Sequence, residues 1–591
     1  MCGLGFSIVS EALSRPRESL TDRIEHRGPD FNGSKKFCYS LNETGKQFSL
    51  SFSHRRLAIT DFSSLANQPL IVDDQFIIIF NGAIFNYKEL RGILQSLGAN
   101  FVTDSDTEVI VQGYKFYGLD VFKKLQGMWS IVIWDKLCSS VYFSRDPFGI
   151  KPLFYYQKNH EFYCFSEVKQ LLDIVNLSVN DDSLTYFLNY GVTNFGNETL
   201  FNGIFEFESG FVYEFDLITE KLEKRESVIC EANLIGLDYS KSLNNNLSSA
   251  FNADVPYSVS VSGGLDSSIL AYLGKQATNK PHKNTVYTSV SSDSSNSEEI
   301  WAEQITNELG FNLVKVRTDF FDFKNHLPQI IYHLETPTQS MSAYFNYFVY
   351  QSMKKDGVKM SFCGQGADEL FGGYSQFQYA RFFNFLPRFI GNPLSRILDV
   401  LLSFSWRHTH HPILKYKSHK RIEHFFKKVK KPFFNLNDVI DYFLLKDPLP
   451  RYLHWEDRLS MAHSIESRVP FLQQSIYLLA KDVPWRLRYK QGFTKYILRK
   501  TYKDKISDKI LFRKDKKGFA NSEQFWILTK YSADFRVLLL ENLEYLSDYI
   551  HIESAIKGYD QMVVNQHYDP IYWRIIQLGL WHRTFINKLV S

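Results

Sequence analysis

The sequence predicts an α+β domain of antiparallel sheet structure with helices, followed by an α/β parallel-sheet domain with a helical C-terminal part. Three observations carry that expectation. At 591 residues the chain exceeds what one hydrophobic core organises. Its first third is dense in short β-type runs broken by Gly, Asn, Asp and Pro. From about Val255 onward, strands and helices alternate, which is the grammar of a parallel sheet.

In chain order, Phe48 to Phe52, Phe76 to Phe80, Trp129 to Trp134, Val141 to Ser144 and Phe162 to Phe165 read as strands. Helices are expected near Tyr87 to Leu97 and Thr107 to Tyr117. Residues 1–205 are taken as the first domain, 206–240 as a transition and 241–591 as the second domain. There, strand Tyr257 to Val261 runs through a Ser-Gly turn into helix Ser267 to Gln276. Strand Thr285 to Ser289, helix Ser297 to Leu309 and strand Leu313 to Arg317 follow, then helix Phe345 to Lys355 and strand Val358 to Phe362. Beyond about 375 the chain reads as mainly helical.

Hydrophobic content of 44% with 22% charge suits a globular protein, and a net charge of +4 is too small at this length to call for a nucleic-acid partner. The six cysteines, at 2, 38, 138, 164, 230 and 363, form no CxxC pair, which suggests reduced thiols. The N-terminus lacks the basic-then-apolar layout of a signal peptide, and apolar stretches such as Ile397 to Phe404 are too short to span a bilayer. A cytoplasmic protein without a transmembrane segment is expected. Between Arg407 and Lys431 eight basic residues, Lys415, Lys417, Lys420, Arg421, Lys427, Lys428, Lys430 and Lys431, face only Glu423. A solvated helical face accounts for them, with an anionic sugar carrier or a membrane surface as the alternative.

Cys2 is the first candidate catalytic residue. If Met1 is trimmed, a thiol and a free α-amine share one residue, and both titrate within reach of neutral pH. Its ordinary reading is a free cysteine near a terminus. Ser262-Gly263-Gly264-Leu265-Asp266-Ser267-Ser268 lies where a strand ends and a helix begins, so backbone and hydroxyl donors face an anion and Asp266 can hold magnesium. Without GxxxxGK[ST] it is no Walker loop, which points to pyrophosphate release rather than γ-phosphate transfer. A second loop, Cys363-Gly364-Gln365-Gly366-Ala367-Asp368-Glu369-Leu370-Phe371-Gly372-Gly373-Tyr374, follows another strand. Two such loops at neighbouring strand ends would set Asp266 and Asp368 on either side of a phosphate chain, which suits Mg-ATP.

Together with Ser464-Ile465-Glu466-Ser467-Arg468-Val469-Pro470-Phe471-Leu472 and Thr494-Lys495-Tyr496-Ile497-Leu498-Arg499-Lys500, these loops resemble the glutamine-hydrolysing asparagine synthetase family over nearly the whole chain. The resemblance implies an N-terminal Ntn-hydrolase glutaminase sandwich and a C-terminal ATP-pyrophosphatase domain. ATP would adenylate a carboxylate, and ammonia arriving through an internal tunnel would displace AMP. It implies an ATP site of Val261, Ser262, Gly263, Gly264, Asp266, Ser267, Gly364, Gln365 and Asp368, with Mg2+ on Asp266 and Asp368. Lys495 would neutralise charge developing between the α- and β-phosphates. In the first domain Arg27-Gly28-Pro29-Asp30, His54-Arg55-Arg56-Leu57, Asn81-Gly82-Ala83-Ile84-Phe85-Asn86, Asp104-Ser105-Asp106-Thr107-Glu108 and Arg145-Asp146-Pro147-Phe148-Gly149-Ile150-Lys151-Pro152 match glutaminase motifs. They imply that Cys2 attacks the glutamine amide, that Asn81 and Gly82 hold the oxyanion, and that Arg56 and Asp106 take the glutamine carboxylate and ammonium. The resemblance also implies a homodimer.

Four features depart from the family pattern. Ala83 stands where a glutamate commonly shares the glutamine ammonium, which predicts a raised glutamine requirement rather than inactivity. Gln365 replaces a glutamate able to take a proton from ammonia, with Glu335 and Glu369 as substitutes. Glu335 to Ala343 lacks a Thr-Thr-x-Arg-x-Ser signature, and Gln473 replaces the aspartate after VPFL. The last three put the acceptor in question: aspartate is the family default, and a uronic acid in surface-polysaccharide synthesis is the alternative. A β-lactam synthetase-like role conflicts with the retained Cys2. A non-catalytic sensing scaffold conflicts with the joint retention of Cys2, Asn81, Asp266, Asp368 and Lys495.

Overall fold

The computed structural model describes residues 2–10, 19–41, 45–193, 196–230, 238–251, 254–277, 284–290, 298–374, 377, 411–415, 436–514 and 522–588. Except for 411–415, the basic run expected over 407–431 lies outside them.

Two six-stranded antiparallel sheets build the first domain. One contains β1 (Gly3–Ser10), β2 (Phe31–Ser40) and β3 (Gln47–Arg56); the other contains β4 (Leu70–Val72), β5 (Phe76–Ile84), β6 (Gly127–Asp135) and β7 (Ser140–Arg145). The first sheet is completed by β8 (Phe154–Lys158), β9 (Glu161–Phe165) and β10 (Ile204–Glu206), in the order β10-β8-β9-β1-β3-β2. Strand alternation explains the layers. On β5 and β6, Ile77, Ile79, Val132 and Trp134 point between the sheets, where they meet Leu4, Phe6, Leu50 and Phe52. Ile78, Phe80, Trp129, Ile131 and Ile133 point the other way, onto Leu90, Leu94, Val109 and Ile110 of helices Tyr87–Ser96 and Asp106–Tyr117. β6 is buried along its whole length because both of its faces are covered.

The segment read as a transition is partly sheet. β11 (Phe211–Asp216) pairs with β7 and with β12 (Lys221–Ser227), so the second sheet runs in the order β12-β11-β7-β6-β5-β4 past residue 205. β12 shows little hydrophobic signal because it is a mostly exposed edge strand.

The second domain carries a parallel sheet of β13 (Tyr257–Val259), β14 (Thr285–Val290), β15 (Asn312–Arg317), β16 (Met360–Phe362) and β17 (Glu466–Arg468). A parallel bridge from Ser260 to Tyr287 joins β13 to β14. The spatial order is therefore β15-β14-β13-β16-β17, with a topological switch between β13 and β16. Beyond residue 435 the described chain is helical apart from β17, and helix Ile571–Phe585 packs with helices Phe320–Leu334 and Ser342–Lys355 in one core. That core also holds Phe165 of β9 and Phe187, so both domains share it. Among the described residues no helix is long and apolar enough to cross a membrane.

Candidate active sites

The first site forms where β1 begins. Cys2 is 8% exposed and its nitrogen donates to Asn81 Oδ1 at 3.1 Å, while Arg27 Nε donates to the Cys2 carbonyl at 2.9 Å. Gly3 permits this approach, because a Cβ there would run into Ile24. Asn81 is fully buried in β5, and its Nδ2 has no hydrogen-bond partner, an unusual state for an interior donor. The pocket beside them is lined by Cys2, Arg56, Gly82, Ala83, Asp106 and Glu466 among others. Burial pushes the Cys2 thiol up, against an N–H from Leu57 and the charge of Arg56.

Arg56 reaches the pocket from the end of β3. Its Nη1 donates to Ser63 O at 2.9 Å and Asn67 Oδ1 at 2.7 Å, and its Nη2 donates to the carbonyls of Thr60 and Asp61, so its fork also holds the 60–67 loop. Asp106 opens helix Asp106–Tyr117, where Ser105 Oγ accepts from Glu108 N at 3.3 Å as N-cap. Asp106 Oδ2 accepts from Ile84 N at 3.1 Å, which ties the helix start to β5. Burial pushes its carboxyl up to about 6, helped by Glu466 and opposed by the Ile84 N–H and Arg468.

The second site lies at the switch between β13 and β16. Lys495 Nζ contacts Asp266 Oδ2 at 2.5 Å and Asp368 Oδ1 at 2.6 Å, joining the two loops. Lys495 itself has φ of 51°, a left-handed conformation that non-glycine residues seldom adopt, immediately before helix Tyr496–Thr501. Val261, buried, donates its N–H to Tyr287 O at 2.8 Å and delivers the chain into the turn. Ser267 Oγ accepts from Ser262 N at 3.2 Å, and Ser262 Oγ accepts from Gly264 N at 3.3 Å. Gly263 has φ of 71°, and a Cβ there would strike Trp301 and Ala302. Gly364 sits against Asp266, and Gln365 is half-buried beside it in sequence. Asp266 Oδ1 is buried and unpartnered, the state expected of a carboxylate oxygen waiting for a cation.

The structure separates the residues read as acceptor-side. Glu335 is buried at the domain boundary, accepting from Val168 N at 2.9 Å, Lys169 N at 2.7 Å and Arg458 Nη2 at 3.0 Å, so it cannot substitute for a proton acceptor beside Gln365. Glu369 adjoins Asp368, accepts from Tyr374 Oη at 2.6 Å, and is pushed up to about 7 by burial, with the Asp368 charge also raising it. Gln473 is fully buried and structural: its Nε2 donates to Asn246 O at 2.7 Å and Pro470 O at 3.0 Å, and its Oε1 accepts from Ser249.

Glu466 and Arg468 stand in the Ser464 to Leu472 run with no role of their own legible in the sequence, yet both line the first pocket from the second domain. The Glu-x-Arg spacing was the available signal, since alternate residues of a strand share a face. Arg27, Lys151, Glu167, Lys169, Glu335, Asp457 and Arg458 form a buried ionic network across the same boundary, including Arg27 to Asp457 at 2.8 Å and Lys151 to Asp457 at 3.2 Å.

Comparison with known proteins finds residues 239–583 matching the asparagine synthase family and residues 1–225 matching the glutamine amidotransferase domain. The chain is 27% identical over 619 residues to asparagine synthetase (glutamine-hydrolyzing) 1 of Bacillus subtilis, covering 97% of this chain and 94% of that protein. It is 26% identical over 619 residues to a putative asparagine synthetase (glutamine-hydrolyzing) of Mycobacterium tuberculosis, covering 96% and 93%. Amidase chry2 of Gibberella zeae is 24% identical over 626 residues, covering 89% and 90%.

Proposed function

The chain belongs to the asparagine synthase family and is a glutamine-dependent, ATP-using ligase, and from that premise we propose that it amidates a carboxylate, by family default aspartate. With Met1 removed, the Cys2 thiol attacks the glutamine side-chain amide and its α-amine takes the thiol proton. The observation that carries this reading is the Cys2 nitrogen held on Asn81 Oδ1 while Asn81 Nδ2 stays buried and unpartnered. That amide and the Gly82 N–H would receive the oxyanion. The thiolate is disfavoured by burial, so an attached base is what the site needs. Arg56 and Asp106 would take the α-carboxylate and α-ammonium of glutamine.

At the second site the Ser262 to Ser267 turn would receive the phosphates of ATP, and Asp266 and Asp368 would hold Mg2+, with the unpartnered Asp266 Oδ1 as the fitting donor. The cation would neutralise phosphate charge, and Lys495, already between the two carboxylates, would do so from the protein side. Forming an acyl-AMP gives a poor electrophile a leaving group. Ammonia then displaces AMP, and Glu369, with its pKa near 7, is the proton acceptor we assign in place of Gln365.

The test measures pyrophosphate release with ATP, magnesium and glutamine while the acceptor is aspartate, a uronic acid or absent. Amide formation on aspartate fits the default. Turnover with uronic acids alone moves the acceptor to the alternative that Gln365 and the 335–343 segment favour. If glutamate is never released from glutamine, the amidotransferase reading fails. Cys2→Ala should abolish glutamine use and retain synthesis from free ammonia.

A further inference from the structure

The glutamine pocket is closed by a strand of the second domain, Glu466–Arg468. β17 is the outermost strand of the parallel sheet, set by the Met360 to Glu466 register on β16. Glu466 and Arg468 share its outward face, whereas Ser467 faces back and donates to Glu456 Oε1 at 2.5 Å. Arg468 Nε donates to Glu466 Oε1 at 2.6 Å, Nη1 donates to Ala250 O at 3.2 Å, and the guanidinium lies 5.3 Å over the Phe85 ring. Both side chains are nearly fully buried and both line the pocket of Cys2.

Glutamine brings one ammonium into this pocket. Ala83 gives it nothing to pair with, and Asp106 and Glu466 are the two carboxylates among the lining residues. We propose that Glu466 is a ligand of the glutamine α-ammonium, a specificity residue that the synthetase domain contributes to the glutaminase site. The electrostatics agree: the charge of Glu466 acts on both the Cys2 thiol and Asp106. Burial opposes its ionisation, but Arg468 and Lys151 pull its carboxyl down to about 2, so it meets the ammonium as an anion. The glutaminase site is then complete only with β17 in place.

The assignment rests on the glutaminase reading and is tested by glutamate release from glutamine compared with turnover of 4-carbamoylbutanoate, which is glutamine without its α-amino group. Full-length wild type should prefer glutamine strongly; if it hydrolyses neither, the glutaminase reading itself has failed. Glu466→Gln should raise the glutamine KM about 10- to 100-fold, the range for one charge-assisted hydrogen bond, keep kcat within a few-fold, and erase the preference by the same factor. A purely structural role would lower turnover of both substrates alike and leave their ratio unchanged, and that result overturns the assignment. Glu466→Asp keeps the charge and the means to pair with Arg468, so it stands in should the amide variant not fold. Its preference should fall between wild type and none, and a preference equal to wild type also overturns the assignment.

Discussion

Cys2 combines an interior position with a proposed task, attack on glutamine, that needs its anion. Burial raises the thiol, so the proposed attack would depend on neighbours placed before substrate arrives. Asn81 is the neighbour with two duties, accepting from the Cys2 nitrogen and holding an unpaired donor in reserve. Asn81→Ala should therefore lower glutaminase kcat by about 10²- to 10³-fold with a small change in KM, read from initial rates of glutamate release. Asp106 makes a pH prediction. Its carboxyl is raised from 3.8 to about 6 by burial and the charge of Glu466, against the Ile84 N–H and Arg468, so the anion proposed to bind glutamine forms above that value. The glutamine KM should rise as pH falls through about 6, and this slope should vanish in Asp106→Asn; a wild-type KM flat from pH 8 to 5 would exclude an ionised Asp106 as ligand. The motifs made Cys2, Arg56 and Asp106 legible as candidates because each sits in a local run of recognisable residues. They did not reveal that Arg56 also holds the 60–67 loop, since its partners there are mostly carbonyls, which carry no residue identity.

Strand ends and helix starts do most of the positioning. β13 and β16 are adjacent and parallel, so both following loops emerge on one side, and the helix Leu265–Gln276 presents Asp266 in its first turn. This was readable because an apolar strand, a Ser-Gly turn and a helix follow one another within twenty residues or so. Other elements were not readable, for identifiable reasons. β17 has three residues and no hydrophobic alternation, and Pro328 lies inside helix Phe320–Leu334, where proline ordinarily signals a break. Lys495 is the hinge between the two loops: its Nζ neutralises two carboxylates that would otherwise repel each other. Lys495→Ala should reduce acceptor-dependent pyrophosphate release by at least about 10²-fold, the scale of losing one electrostatic stabiliser, while glutamate release from glutamine persists. Equal loss of both activities would mean that the lysine supports the whole fold rather than the second site.

At the scale of the molecule, the two domains are joined by charge as well as by apolar packing. Arg27 donates to Glu167 at 2.7 Å and to Asp457 at 2.8 Å, Lys151 reaches Asp457 at 3.2 Å, and Arg458 spans Glu167 at 3.3 Å and Glu335 at 3.0 Å. Arg27 and Asp457 are 430 positions apart, so no local pattern announces the pair. Ion pairs this deep gain little over apolar packing, but losing one partner leaves the others uncompensated. Asp457→Asn removes the carboxylate shared by Arg27 and Lys151 and should cost about 3–5 kcal/mol, seen as a lowered melting temperature. Burial works to raise the Asp457 carboxyl, but Arg27, Lys151 and Arg458 hold it far below the usual carboxylate range. Its contribution is therefore fully present above the unfolded value, near pH 4, and is lost as pH falls toward the depressed folded value. The gap in melting temperature between wild type and Asp457→Asn should stay constant from pH 8 to pH 5 and close in stronger acid. The same variant loosens the boundary that carries Glu466 and Arg468, so its glutamine KM should rise more than its kcat falls. A melting temperature unchanged at pH 7 would show that the charges are spectators and that the shared apolar core alone holds the domains together.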